Sequence, residues 1–175
     1  MSEKYGRAFD GLDADNNGYL DWSDYQALAD RFISAYRLGR DDRRARALNA
    51  FLQMQWMELL RHANVDGDRL DREQYIQAAR LAGIDTSRFN LVDGHGHAMF
   101  DVIDTDEDNE ISKDEFVRLL RDVWQVTDPS ALDAFDRIDT DGDGAVSRTE
   151  FIRTIREYHL SPDPHAPGSV IFGQV

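Results

Sequence analysis

Short oxygen-bearing side chains alternate at four places in the chain: Asp13, Asp15 and Asn17; Asn64, Asp66 and Asp68; Asp104, Asp106 and Asp108; Asp139, Asp141 and Asp143. On a curled loop, every second side chain can converge on one point. Oxygen ligands in this number suit a hard cation of calcium size, whereas a transition metal would want imidazole or thiolate. The last copy is the fullest. Asp139, Asp141 and Asp143 stand at positions 1, 3 and 5, and Gly144 at position 6 supplies a sharp turn. Ala145 at position 7 offers its carbonyl, Ser147 at 9 holds a water, and Glu150 at 12 reaches back with both oxygens.

The third copy supplies Asp104, Asp106, Asp108, the Glu110 carbonyl, Ser112 and Glu115, with Asn109 where glycine is expected. Asn visits the left-handed backbone region more readily than other residues with side chains, so this loop should still close. The first copy offers Asp13, Asp15, Asn17, the Tyr19 carbonyl, Asp21 and Asp24, and keeps its turn glycine, Gly18. Its position 12 is one methylene shorter than Glu. A single oxygen from Asp24 lowers the coordination number and suits magnesium better. In the second copy, placing Asn64, Asp66 and Asp68 on positions 1, 3 and 5 puts Arg69 at the turn and leaves the loop one residue short. Anchoring it instead at Leu70 puts Ala63 and Val65 on ligand positions. Either way Gln74 replaces the closing acid, so this copy is expected to keep its scaffold without a site.

The elements that must hold these loops are helices. "FDGLDADNNGYLDWSDY" (9–25), "FDVIDTDEDNEISKDEF" (100–116) and "FDRIDTDGDGAVSRTEF" (135–151) align without gaps. Helix starts lie inside the loops: Ser112-x-x-Glu115 and Ser147-x-x-Glu150 read as capping boxes, and Asp21-x-x-Asp24 as a weaker one. Asp128-Pro129 predicts the start of the helix entering the fourth copy. Leu48, Phe51, Leu52, Trp56, Leu59 and Leu60 recur at helical spacing, as do Val117, Leu119, Leu120, Val123 and Trp124. The chain therefore reads helix–loop–helix four times, with hardly any strand. Neighbouring loops should join by a short antiparallel contact around position 8, with Leu20 facing Leu70 and Ile111 facing Val146. "DGHGH" (93–97) gathers two His and an Asp, but His95 and His97 fall on different helix faces; it reads as a glycine-softened bend, a hinge between halves.

Composition narrows the function. A formal net charge of −14 disfavours nucleic acid and anionic membrane as partners. With no cysteine there is no disulfide and no thiolate site or nucleophile. Signal core, spanning segment, P-loop, G-x-S-x-G and H-E-x-x-H are all missing from the sequence, so the expectation is a cytoplasmic monomer that is not an enzyme. Arg outnumbers Lys 18 to 2, a bias in keeping with a GC-rich bacterial genome.

The loop pattern D-x-[DN]-x-[DN]-G-x5-E is that of the EF-hand. With hands 1, 3 and 4 intact and hand 2 degenerate, the whole chain resembles the sarcoplasmic calcium-binding protein and calerythrin family, in a bacterial member. That resemblance implies an all-α fold of four EF-hand units in two packed pairs forming one compact globule. It also implies calcium at three sites with magnesium competing, and a role in calcium buffering or transport. The expected divisions are 1–84 for the first pair, 85–160 for the second, and 161–175 for a tail whose Val170, Ile171 and Phe172 fold back on the core. Two alternatives stand beside buffering. One is a sensor that opens toward a target protein through a Met-bearing groove, Met54 and Met57 being candidates. The other is a photoprotein-like enclosure of a hydrophobic ligand by Trp22, Trp56, Trp124, Tyr158 and His159.

Overall fold

A computed structural model of the chain describes residues 2–84, 89–126, 131, 133–161 and 168. Its elements follow the repeat. Hand 1 is α1 (Ser2–Leu12), β1 (Tyr19–Asp21) and α2 (Trp22–Ala35); hand 2 is α3 (Arg43–Ala63), β2 (Arg69–Asp71) and α4 (Arg72–Ile84). Hand 3 is α5 (Phe89–Ile103), β3 (Glu110–Ser112) and α6 (Lys113–Arg118), and hand 4 is α7 (Asp133–Ile138), β4 (Ala145–Ser147) and α8 (Arg148–Leu160). The exit helices start where the caps say they should. Asp21 with Asp24, Ser112 with Glu115, and Ser147 with Glu150 each form a reciprocal capping box. Hand 2 does the same with a neutral amide in place of the second acid: the Gln74 N–H donates to the Asp71 carboxylate and the Asp71 N–H to the Gln74 side chain, at 2.8 and 2.9 Å.

The loops pair as the position-8 residues require. β1 and β2 are antiparallel with Leu20 opposite Leu70, and β3 and β4 are antiparallel with Ile111 opposite Val146. All four side chains are fully buried. Each ladder is only three residues long, so burial of these apolar pairs holds the loops together more than hydrogen bonding does. The same core runs on through both pairs and includes Phe9, Tyr25, Phe32, Leu52, Met99, Phe116, Phe135 and Phe151. Among the described residues, α3 packs on α5 and α2 on the turn following α6, so apolar faces from the two pairs cover one another.

Two readings need correction. The segment from Val117 to Trp124 is not a plain helix: α6 widens into a π-helical turn over Leu119–Val123. There the Trp124 N–H reaches back to Leu119, and Leu119, Leu120 and Val123 are all buried; the extra residue in the turn lets adjacent leucines share the core side. "DGHGH" is not a bend either, because α5 runs straight through it. Its glycines permit close approach: a Cβ on Gly94 would fall 2.4 Å from the Phe51 ring, and one on Gly96 2.7 Å from Ile152. The Asp128-Pro129 helix start and the Val170–Phe172 fold-back fall outside the described residues. Gly168 is described, buried beside α8, with its N–H donating to Glu157 at 3.2 Å.

If hand 2 serves to seal hand 1, Leu70→Ala should cost about 2–5 kcal/mol, as for other fully buried leucines. Denaturant unfolding of the calcium-free protein measures it. A loss well below about 1 kcal/mol would mean that the ladder contributes little.

Candidate metal centre

Three loops bring carboxylates together. Oxygens of Asp13, Asp15 and Asp24 lie within 4.8 Å of one another; so do those of Asp104, Asp106 and Asp108, and those of Asp139, Asp141 and Glu150. Hand 2 makes no such group among the described residues. Backbone N–H groups hold each cluster in place. In hand 4, Asp139 accepts from Gly142 and Gly144 at 2.8 and 2.9 Å, Asp141 from Asp143 at 3.3 Å, and Asp143 from Ala145 at 3.0 Å. Hand 1 repeats this with Asp13, Asp15 and Asn17 accepting from Gly18, Asn17 and Tyr19. In hand 3, Asp104 accepts from Asn109 and Asp108 from Glu110.

That wrapping needs left-handed backbone. Position 6 has φ of 82° at Gly18, 68° at Asn109 and 92° at Gly144. Asn109 therefore adopts the turn that its type suggested. In hand 2 the only positive φ is at Asn64, the C-cap of α3, and neither Gly67 nor Arg69 adopts the left-handed backbone. Arg69 instead lays its guanidinium 4.5 Å from the Tyr19 ring centroid. The loop without a metal group also lacks the left-handed turn that aims N–H groups inward in the other three.

Position 12 closes each live loop from below. Glu150 accepts from the Thr140 N–H and hydroxyl with one oxygen and from the Ser147 N–H and hydroxyl with the other, at 2.7–3.0 Å. Glu115 is held in the same way by Thr105 and Ser112. Asp24, though shorter, still accepts from Ala14 and Asp21 at 3.1 and 2.9 Å. The remaining expected ligands have fixed local roles. Asp21 caps Ser23, Asn17 donates to Asp15, and the backbones of Tyr19, Glu110 and Ala145 begin the strands.

These positions carry electrostatic strain. Burial raises the Asp104 carboxyl above the ordinary carboxylate range; the Asn109 N–H opposes that, and the charges of Asp108 and Glu115 add to it. Asp104 Oδ1 is buried and has no hydrogen-bond partner. A buried, charged oxygen among other carboxylates is costly unless a cation meets it, so the donor set fits a hard divalent ion. Glu150 is shifted the other way. Burial alone would raise it, but the hydrogen bonds from Thr140 and Ser147 outweigh that and hold it at about 2.

The repeated Phe-Asp before each live loop also has a role that sequence reasoning left unassigned. Arg148, at position 10 of hand 4, pairs with Asp101 at 2.7 Å, and Lys113, at position 10 of hand 3, pairs with Asp136 at 3.4 Å. In the first pair Arg72 of hand 2 meets Asp10 at 3.2 Å. The "DGHGH" residues gather no metal group among the described residues. Asp93 is bonded by Arg156 at 2.6 and 2.5 Å, His97 is exposed, and burial lowers His95 to about 4.

The two shifts give opposite signs in calcium-free protein at neutral pH. Ionised Glu150 contributes stability that is complete above its ordinary 4.5 and lost as pH falls toward about 2. Ionised Asp104 subtracts stability, and protonation relieves it. In chelator, Asp104→Asn should therefore melt higher than the parent at pH 7, with the gain shrinking on acidification. Glu150→Gln should melt lower. A lower melting temperature for Asp104→Asn would show that its charge is compensated.

Comparisons with known proteins agree with this geometry. Residues 95–156 match the EF-hand domain pair family. The sarcoplasmic calcium-binding protein of Perinereis vancaurica tetradentata is 29% identical over 115 residues, an alignment spanning 65% of this chain and 64% of that relative. A calcium-binding protein of Streptomyces coelicolor, described in connection with prokaryotic calcium-mediated regulation, is 28% identical with a TM-score of 0.76, covering 93% of this chain and all of that one. The calcium-loaded apo form of coelenterazine-binding protein from Renilla muelleri shares the fold at 22% identity and a TM-score of 0.71, covering 99% and 95% of the two chains. With three acidic loops able to hold metal ions on this scaffold, the chain is a calcium-binding EF-hand protein similar to the sarcoplasmic calcium-binding proteins.

Proposed function

We propose that the protein is a calcium buffer that takes up three ions, in hands 1, 3 and 4. The observation carrying this reading is the convergence of carboxylates in three loops on a scaffold whose helices already bury one another's apolar faces. The proposed ligands are Asp13, Asp15, Asn17, the Tyr19 carbonyl, Asp21 and Asp24 in hand 1. In hand 3 they are Asp104, Asp106, Asp108, the Glu110 carbonyl, Ser112 and Glu115. Hand 4 contributes Asp139, Asp141, Asp143, the Ala145 carbonyl, Ser147 and Glu150. Asp24 makes hand 1 the site most open to magnesium. Three calcium ions add six positive charges to a chain of formal net charge −14, so loading tightens a fold that self-repels when empty. In this reading the protein acts alone, as a cytoplasmic monomer in two EF-hand pairs, 1–84 and 85–160, with the tail 161–175 against the core.

A sensor would need an apolar groove to offer. The fully buried Met99 is committed to the core, whereas Met54 and Met57 stand 40% and 62% exposed on α3. One feature favours ligand enclosure as a second reading. Two interior chambers of about 80 and 40 Å³ share Gln55, Tyr75, His95, Tyr158 and His159 as walls, and the Tyr25 hydroxyl at the second is buried without a partner. Of the aromatics expected at such a cavity, Trp124, Tyr158 and His159 line it and Trp22 and Trp56 do not. Chambers of this size hold a few waters or a small ring, and a larger guest would have to displace side chains.

Calorimetric titration of stripped protein with calcium, in millimolar magnesium, tests the buffer reading. Three ions should bind at submicromolar strength, with hand 1 exchanging most readily. Gln74→Glu should add no fourth, because its loop has no left-handed turn at Gly67 or Arg69. Micromolar sites indifferent to magnesium would overturn buffering in favour of sensing.

A further inference from the structure

Position 6 of loop 3 differs from its counterparts in hands 1 and 4. Gly18 and Gly144 have open space beside them, with nothing within 4 Å of where a Cβ would stand. Asn109 has a side chain in that space, and hand 4 takes hold of it: Arg148 Nε donates to Asn109 Oδ1 at 2.8 Å. The same guanidinium donates to Asp101 at 2.7 Å and lies 4.1 Å from the Phe100 ring centroid. The turn of loop 3 and the helix that enters it are thus tied to one side chain. Two residues beyond Arg148 is Glu150, which closes loop 4. On the other side, the Asn109 N–H donates at 3.0 Å to Asp104, whose second oxygen is buried without a partner. A short covalent and hydrogen-bonded path therefore runs from the closing turn of hand 4 to the first carboxylate of hand 3.

No second path of this kind is present among the described residues. Lys113 pairs with Asp136 as Arg148 does with Asp101, but position 6 of loop 4 is glycine and gives it nothing further to hold. Arg72 meets Asp10 in the first pair and likewise faces a glycine loop at Gly18. Among the described residues, only in hand 3 is the left-handed turn secured by a side chain from its partner hand.

We propose that Arg148 is a positioning residue for the third calcium site, compensating for the missing turn glycine and coupling site 3 to hand 4. This rests on the reading of loops 3 and 4 as calcium sites. Occupancy of hand 4, by fixing the first turn of α8, sets Arg148 and with it the Asn109 turn, and filling of site 3 favours site 4 by the same factor. Loading of the pair should then be cooperative.

The test is a calcium titration followed by NMR, in which the Asn109 and Gly144 amides report their own loops, on the parent, Arg148→Ala, Arg148→Lys, Asn109→Gly and the double variant Asn109→Gly/Arg148→Ala. Arg148→Ala should weaken site 3 roughly tenfold, the weight of one charge-assisted hydrogen bond, and site 4 far less. Lys can keep Asp101 but not both partners, so Arg148→Lys should recover only part. In the Asn109→Gly background the Arg148→Ala loss should disappear. An equal loss in both backgrounds, or none in either, overturns the proposal. In chelator, exchange of the Asn109 amide should quicken in Arg148→Ala, and unchanged exchange overturns the proposal without reference to calcium. A parent protein whose Asn109 amide ignores calcium would instead overturn the reading of loop 3 as a site.

Discussion

Carboxylates brought within a few ångströms repel, and every other feature of this molecule serves to hold them there. Chain curvature alone could not: the left-handed residues at Gly18, Asn109 and Gly144 aim backbone N–H groups inward, and those groups partly neutralise the charges they face. The closing acids are held in turn by the residues at positions 2 and 9, which set Glu150 well below its ordinary pKa. Compensation is uneven. Asp104 keeps an unpartnered buried oxygen and a raised pKa, so part of the repulsion stays in the loop as a driving force for cation binding. Folding stability and metal affinity are therefore opposed at Asp104 and aligned at Glu150.

The same constraint explains a hand that gathers no metal group among the described residues. A loop of converging charges needs a stiff base, and a three-residue strand cannot be one alone. Leu20 is fully buried only because Leu70 lies across from it, as Ile111 is by Val146. What hand 2 supplies to hand 1 comes through Leu70, the Asp71–Gln74 cap and Arg72, and not through Asn64, Asp66 and Asp68. A scaffold can drift at its ligands while its packing and caps stay intact.

Much of this was legible in the chain. Ligand alternation, helix caps and the position-8 pairing are local or periodic signals, and the structure places them where the spacing put them. What escaped depended on distant partners. Nothing within "DGHGH" says that Phe51 and Ile152 press against Gly94 and Gly96, so the glycines read as flexibility when they are close contacts. The π turn follows from what Leu119 and Leu120 must both face, which no single helix period expresses. The ion pairs of Asp10, Asp101 and Asp136 did leave a trace, the Phe-Asp shared by hands 1, 3 and 4. Its meaning needed the pairing register, which alone brings position 10 of one loop over the entering helix of another.

The two pairs are joined by polar as well as apolar contact, and the polar contact has a direction. The Tyr36 hydroxyl at the end of α2 donates to the backbone carbonyl of Glu115 at 2.9 Å, in a buried setting. Glu115 is the position-12 acid of loop 3, so the end of hand 1's exit helix rests on the residue at the base of that loop. Arg118 stands 5.7 Å from the same tyrosine ring and leads into the π turn that packs on α2. A displacement of Glu115 would thus be felt across the seam between the pairs and absorbed where the backbone is least regular. Such a seam suits a protein that must tolerate filling and emptying without parting its halves, because a wide turn can adjust its hydrogen bonds while Leu119, Leu120 and Val123 stay buried.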